Sequence, residues 1–457
     1  MQDAAGKTKN SGKDMTSGGI AKLLISFSLP LMLGGVLQGA YNAFDSMVVG
    51  NFVSKSALAA VGMALPIHMI IIGFFMGLSS GAAVLTARFF GAKDDESLKA
   101  ALHTALLIAV VMGIMLAVAG VLVMPALLRF MNTPQEVFSD AATYFTIFCY
   151  GLPALTVYNM GTAVLNAFGE SKKPLIYLAI AAAVNIVLNL VFVIVFDRGV
   201  AGVAIATVIS ELISMLLVLN TLRKPGLPCN IDFRYLRTNF PILKQMLRLG
   251  LPIGSQCVVQ GISNVLLQIY INGLGTSAVA GWGVTGKINA FIYPVSSAVS
   301  LGITTFVGQN LGAGNVDRAR RGVTTALIIA VSITLTVTAI LLLLNVRVLR
   351  IFTTDNEVLD MALSFMKILT ATYFMQSFLG IWQNALACGG TTISPMIADM
   401  ATHVGLRQLY LFVISIFFCN PTTIALSYPV AWVPCGVILF IMYRRSDWNS
   451  FKKKLSA

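Results

Sequence analysis

Twelve apolar runs of roughly 20 to 30 residues fill this chain at about 21–49, 57–87, 100–128, 138–168, 174–196, 200–222, 240–272, 278–309, 322–345, 358–388, 395–418 and 422–443. Each is long enough to cross a hydrocarbon layer about 30 Å thick. Inside a bilayer every backbone N–H and C=O must find its partner within the protein, so a spanning segment is a helix or part of a closed barrel. Runs of this length fit helices rising about 1.5 Å per residue. The expected fold is an all-α polytopic membrane protein with twelve transmembrane helices. Composition agrees, because 57% hydrophobic and 11% charged residues leave too little polar surface for a water-soluble globule.

The net charge of +13 raises the question of a nucleic-acid partner, and its placement answers it. With the N-terminus inside, most Lys and Arg fall in the inner connections at 88–99, 172–173, 223–248 and 318–321 and in the two tails. Only Lys55, Arg129, Arg198, Arg347 and Arg350 fall outside. That bias follows the positive-inside rule and predicts an inner or plasma membrane location with both termini cytoplasmic. The charge sets topology, so no nucleic acid is expected. Residues 1–20 form a polar tail without the apolar core of a signal peptide and read as loose, while 444–457 form a basic tail. Six scattered cysteines without a CxxC pair, and three scattered histidines, indicate neither a metal cluster nor a disulfide framework.

The chain also repeats itself. SLPLMLGGVLQGAYN at 28–42 lies over GLPIGSQCVVQGISN at 250–264 at an offset of 222, matching Pro30 with Pro252, Gln38 with Gln260 and Asn42 with Asn264. FGAKDDESLKAALHTALLI at 90–108 lies over LGAGNVDRARRGVTTALII at 311–329, and LNAFGESKKP at 165–174 over LACGGTTISP at 386–395, both at an offset of 221. Two lobes of six spans, 21–222 and 241–443, therefore flank a linker at 223–240. Because six is even, the repeats are parallel, and binding in such proteins lies in a central cleft between the halves.

The paired Pro, Gln and Asn positions, the loops ARFFGAKD (87–94) and GQNLGAGNVDRAR (308–320), and the GESKKP turn after span four resemble the multidrug and toxic compound extrusion (MATE) family over about 20–445. The resemblance implies two lobes around a V-shaped cleft and a secondary active antiporter that exports organic cations and drugs, with consequences for antibiotic resistance. The driving force is inward flow of protons or sodium, through rocking of one lobe against the other. Its partners are then a small organic cation and the lipid bilayer, and it acts as a monomer. No cofactor is expected beyond the coupling ion, proton or sodium, and no nucleotide loop or catalytic cluster points to an enzyme. A lipid-linked oligosaccharide flippase of the same superfamily is the alternative, against which the twelve spans and acidic first lobe argue. The basic loop of the major facilitator fold is missing.

Charged groups within a membrane are costly, and so mark function by default. Asp45, Glu211 and Asp399 are the acids well inside a span. Asp45 lies about four residues from the outer end of span one. Asn185 and Asn189, four apart on span five, share a helical face, and Thr207 on span six lies at similar depth. These four are the expected cation- or proton-coupling set: a carboxylate, two amides and a hydroxyl suit either a protonatable carboxyl with its partners or sodium at Asp45, Asn185 and Asn189. The resemblance implies a site of this kind, with Asp commonly at the position of Asn189. The bland reading is that Asn and Thr bond helix to helix. An isolated carboxylate out of water is costly as an anion, and a carboxyl that takes up a proton there is what a proton-coupled exporter needs.

In the second half Leu267 stands where Asp45 would repeat, and Gln260 where related proteins carry a glutamate, so a carboxylate site there looks doubtful. Asp399, His403 and Arg407 recur every four residues on span eleven, as a proton relay or a structural salt-bridge ladder. Glu211 extends the first-half site or pairs with Lys287 or Lys367. Met32, Gln38, Tyr41, Met63 and Tyr158 are the expected cleft residues, since thioethers and rings repack around varied shapes.

Overall fold

The structure, a computed structural model, describes residues 12–53, 55–130, 135–232 and 237–448, with the backbone alone at 42, 46, 50, 51, 55–69, 127, 130 and 136. Every apolar run becomes helical. The first half comprises α1 (Ile20–Phe52), α2 (Lys55–Ala92), α3 (Asp95–Phe130), α4 (Gln135–Ala167), α5 (Lys172–Leu190) continued by a π-helical turn Val191–Val195, and α6 (Gly199–Arg223). The second comprises α7 (Phe240–Asn272), α8 (Thr276–Gly312), α9 (Val316–Leu343), the short α10 (Asn345–Leu349), α11 (Asn356–Thr372) and α12 (Phe374–Cys388). It ends with α13 (Ile393–Met400), a π-helical segment Ala401–Leu406, α14 (Arg407–Phe417) and α15 (Pro421–Arg445).

Ten continuous segments among the described residues are long and apolar enough to span a membrane, and α11 with α12, bent by 43°, supplies an eleventh. The twelfth, α7, has the length, at 33 residues, but not the same apolarity. Its sequence explains why: Gln256, Gln260, Ser263, Asn264 and Gln268 are spread along it. Pro30, Pro153, Pro252 and Pro294 sit inside α1, α4, α7 and α8 without ending them. The fold is thus an all-α polytopic membrane protein.

The two halves meet through α2 against α7 and α8, and α1 against α8. They also close at the end of the bundle that carries the N-terminal residues and the repeated glycine loops, here called the tail end. A Cβ on Gly91 would lie 2.0 Å from the carbonyl oxygen of Gln309, and one on Gly312 would lie 2.0 Å from that of Arg88. Gly91 and Gly312 are repeat equivalents, as are Arg88 and Gln309. The shared Gly-Ala of the two loops is therefore a close-approach requirement met once from each side.

The bonds across this closure are reciprocal too. Arg88 of α2 donates from Nε to the Cys388 carbonyl at 3.0 Å and from Nη2 to those of Cys388 and Ala387, capping the C-terminus of α12. Its equivalent Gln309 of α8 donates to the carbonyl of Ala167, the last residue of α4, at 2.9 Å. Ala167 and Cys388 are themselves repeat equivalents.

The tail was expected to be loose, and its described part is not. The Lys13 backbone N–H donates to the Phe168 carbonyl at 2.9 Å, in the first half. That of Met15 donates to Gln309 Oε1 at 2.9 Å, and Asn310 Nδ2 donates to the Met15 carbonyl at 3.2 Å, both in the second. Arg318 donates to the Gly18 carbonyl at 2.8 Å, and Met15 is completely buried. Polar composition suggested a solvated tail, but backbone groups and one thioether tie residues 12–18 across both halves.

Candidate functional site

Asp45 faces the fifth and sixth spans from α1. Asn189 Nδ2 donates to Asp45 Oδ1 at 2.6 Å and to Asn185 Oδ1 at 2.7 Å. Asn185 Nδ2 in turn reaches Thr207 Oγ1 at 3.4 Å, and that hydroxyl donates to the Val203 carbonyl at 3.0 Å. Tyr41 stands one helical turn before Asp45 on α1. The structure thus brings the four residues together, with helical spacing on α5 aligning the two asparagines. Both are fully buried, and Asn189 Oδ1 has no partner among the described residues. A carboxylate oxygen, two amide oxygens and a hydroxyl in one cluster offer hard ligands to a small cation, or a bonded seat for a protonated carboxyl. The π-helical turn begins two residues after Asn189. Such turns frequently accompany functional sites.

Next to this network lies a cavity of about 80 Å³ lined by Gln38, Tyr41, Tyr158, Leu178 and Glu211 among others. Glu211 Oε2 is buried without a hydrogen-bond partner among the described residues. The described ion pairs are Lys173–Glu170 and His403–Asp399, and Lys287 lies over the Phe352 ring, so Glu211 pairs with neither expected lysine. A larger cavity of about 290 Å³ shares Gln38, Tyr158 and Leu178 with the first. Its wall includes Ser79, Thr162, Asn166 and Thr304, each with a buried side-chain oxygen that lacks a partner among the described residues. Sequence reasoning missed these four, because small neutral polar groups on apolar helices carry no signal until packing shows which way they point. Met32 lines neither cavity. The side chain of Met63 lies outside the described residues.

The second half holds a different arrangement. Leu267 is buried beside Ile271 and Phe365, so the position equivalent to Asp45 is plain core. Gln260, however, donates to Asp399 Oδ2 at 2.8 Å, while Gln383 Nε2 and His403 Nδ1 approach Oδ1 at 3.3 and 3.1 Å. A carboxylate from α13 thus stands against the amide on α7. Cys435 brings a third potential ligand atom, the three lying within 4.8 Å of one another, but both carboxylate oxygens are already engaged by amides or His403. The expected three-membered ladder is only a pair. The π-helical segment Ala401–Leu406 turns α14 about its axis, and Arg407 donates to the Ser263 carbonyl at 2.8 Å and Asn264 Oδ1 at 2.9 Å while stacking on Tyr428.

Eleven apolar spans, one of them a bent pair, and the more polar α7 thus form a polytopic membrane protein with a buried polar network and cavities in its first half. The chain matches the MatE family over residues 30–191 and 252–420 and belongs to it. It is 27% identical over 438 residues to the probable multidrug resistance protein YoeA of Bacillus subtilis (strain 168), covering 94% of each chain. It is 22% identical to the FAD transporter of Shewanella oneidensis, covering 94% of this chain and 96% of that one. Among solved structures it is similar to an outward-facing multidrug resistance MATE family transporter, with a TM-score of 0.90 at 22% identity over 97% of this chain and 99% of that one.

Proposed function

We propose that the protein is a secondary antiporter that exports organic cations and drugs across the plasma membrane, with Asp45 as the group that takes up the coupling ion. Both termini are cytoplasmic in this reading, the tail end closes the cytoplasmic side, and rocking of the halves gives alternating access. The observation that carries it is the Asp45–Asn189–Asn185–Thr207 network, which puts one carboxyl among buried hydrogen-bonding groups, one helical turn from Tyr41 and Glu211 in the wall of the smaller cavity. The curated relatives named as multidrug proteins support the class of cargo. Among the described residues no Lys or Arg lines either cavity, which favours cationic over anionic cargo and disfavours a flippase for phosphate-linked lipids.

A proton is favoured over sodium because the amide of Asn189, standing in place of a second carboxylate, weakens sodium binding and leaves Asp45 as the principal titrating group of the network. The test is ion substitution in proteoliposomes. Efflux driven by a pH gradient without sodium is the expected result, and strict dependence on sodium would reverse the assignment.

A further inference from the structure

The first half contains two membrane-embedded carboxyls rather than one, and they occupy different surroundings. Asp45 is held by Asn189 and sits in the polar network. Glu211, one turn beyond Thr207 on α6, turns its Oε2 toward α4, where a Cβ on Gly151 would lie 2.8 Å from it. That oxygen is buried and lacks a partner among the described residues, and the residue lines the smaller cavity together with the rings of Tyr41 and Tyr158. A carboxyl group and two aromatic rings around a space of about 80 Å³ are the elements of an ammonium site: a group that can supply a counter-charge, π-systems and room for little more than a charged head group. The adjoining cavity of about 290 Å³ is mainly apolar in its walls and has space for the rest of a flat molecule.

We infer that Glu211 is the counter-ion for the cationic group of the cargo, separate from the coupling carboxyl Asp45, and that Tyr41 joins the two sites. This rests on the proposed export of organic cations. Tyr41 lines the cargo cavity and lies one helical turn before Asp45 on the same helix, so loss of charge at Asp45 acts beside a wall of the cargo site without the ion and the cargo sharing one carboxylate. Glu211 therefore determines which charge the cavity accepts, and Asp45 determines when the cavity releases it.

The experiment compares two probes built on the same planar tricyclic ring, ethidium, a permanent cation, and phenanthridine, neutral at pH 7.5, binding to purified full-length protein without any ion gradient. Glu211→Gln is expected to weaken ethidium about tenfold or more and to leave phenanthridine within about twofold. Gly151→Ala keeps the charge but places a methyl against Glu211 Oε2, and is expected to weaken ethidium in the same direction. Size-exclusion profiles and phenanthridine binding report whether each variant is folded. Wild-type and Glu211→Gln proteins that bind ethidium equally would overturn the Glu211 assignment and leave cation export standing. A wild-type protein that prefers phenanthridine would overturn both.

Discussion

Asn189 donates one amide nitrogen to two acceptors, Asp45 Oδ1 at 2.6 Å and Asn185 Oδ1 at 2.7 Å, so the carboxyl on α1 is fixed by a side chain 144 residues away. Under the proposed function Asp45→Asn removes the carboxyl of that network. Efflux should fall to background while membrane insertion and yield stay unchanged, as measured by drug retention in cells against expression of the tagged protein. Retained efflux would take Asp45 out of the mechanism.

Asn189→Asp tests the choice of ion from the other side. It places a second carboxylate within hydrogen-bonding distance of the first, and two like charges that close are stabilised by a shared cation. Efflux by this variant should acquire a sodium dependence that the parent lacks, read as rate against sodium concentration at a fixed pH gradient. Unchanged sodium response would mean that the amide is not what selects the proton.

Topology has a native reporter. Cys419, in the turn between α14 and α15 at the end opposite the tails, is the one exposed cysteine among the described residues. A membrane-impermeant maleimide should label it on intact cells, and Cys419→Ser should abolish that labelling. Cys229, in the linker, is buried, and desolvation pushes its thiol up to about 11. Its thiolate is scarce at neutral pH and its labelling should rise steeply only as pH climbs toward that value. Labelling of Cys419 only after permeabilisation would invert the proposed orientation.

Gly91 and Gly312 should be intolerant of any side chain. Each added Cβ would meet a backbone carbonyl oxygen at 2.0 Å, and backbone cannot swing aside as a side chain can. Overpacking of this kind costs about 1–3 kcal/mol or more, so Gly91→Ala and Gly312→Ala should each lower the unfolding temperature in detergent. Gly283→Ala and Gly286→Ala, where nothing described lies within 4 Å, are the matched controls.

Met15→Ala should release the tail. Truncating a fully buried Met side chain costs about 2–5 kcal/mol in a packed site, and Met15 is fully buried beside the backbone bonds to Gln309 and Phe168. Hydrogen exchange at residues 12–18 should accelerate, with protection within α4 retained. Unchanged exchange would mean that the backbone bonds hold the tail without its side chain.

Eleven of the spans were legible because length and apolarity define a membrane helix, α7 was legible by its length and its repeat match to α1, and the observed ends fall within about six residues of the apolar runs. The gathering of Asp45, Asn185, Asn189 and Thr207 was legible from depth, since these residues lie at matching distances from helix ends. Rotation about a helix axis was not legible. The direction of Glu211, the unpartnered oxygens of Ser79 and Thr304, and the departure of Arg407 from the line through Asp399 and His403 all depend on it. A π-helical segment changes that rotation without changing composition. The N-terminal residues escaped for another reason: their anchorage uses backbone groups, which carry no residue-specific signal.

The reciprocity of Arg88 with Gln309, and of Gly91 with Gly312, has an ancestral consequence. Each half carries both the donor that caps its neighbour's helix and the helix end that the neighbour caps. Two copies of a single six-helix polypeptide would engage through the same pair of contacts, each repeated about a twofold axis. The covalent link at 223–240 then fixes stoichiometry and lets the two copies diverge, so that one half can keep a carboxylate at Asp45 while its twin buries Leu267.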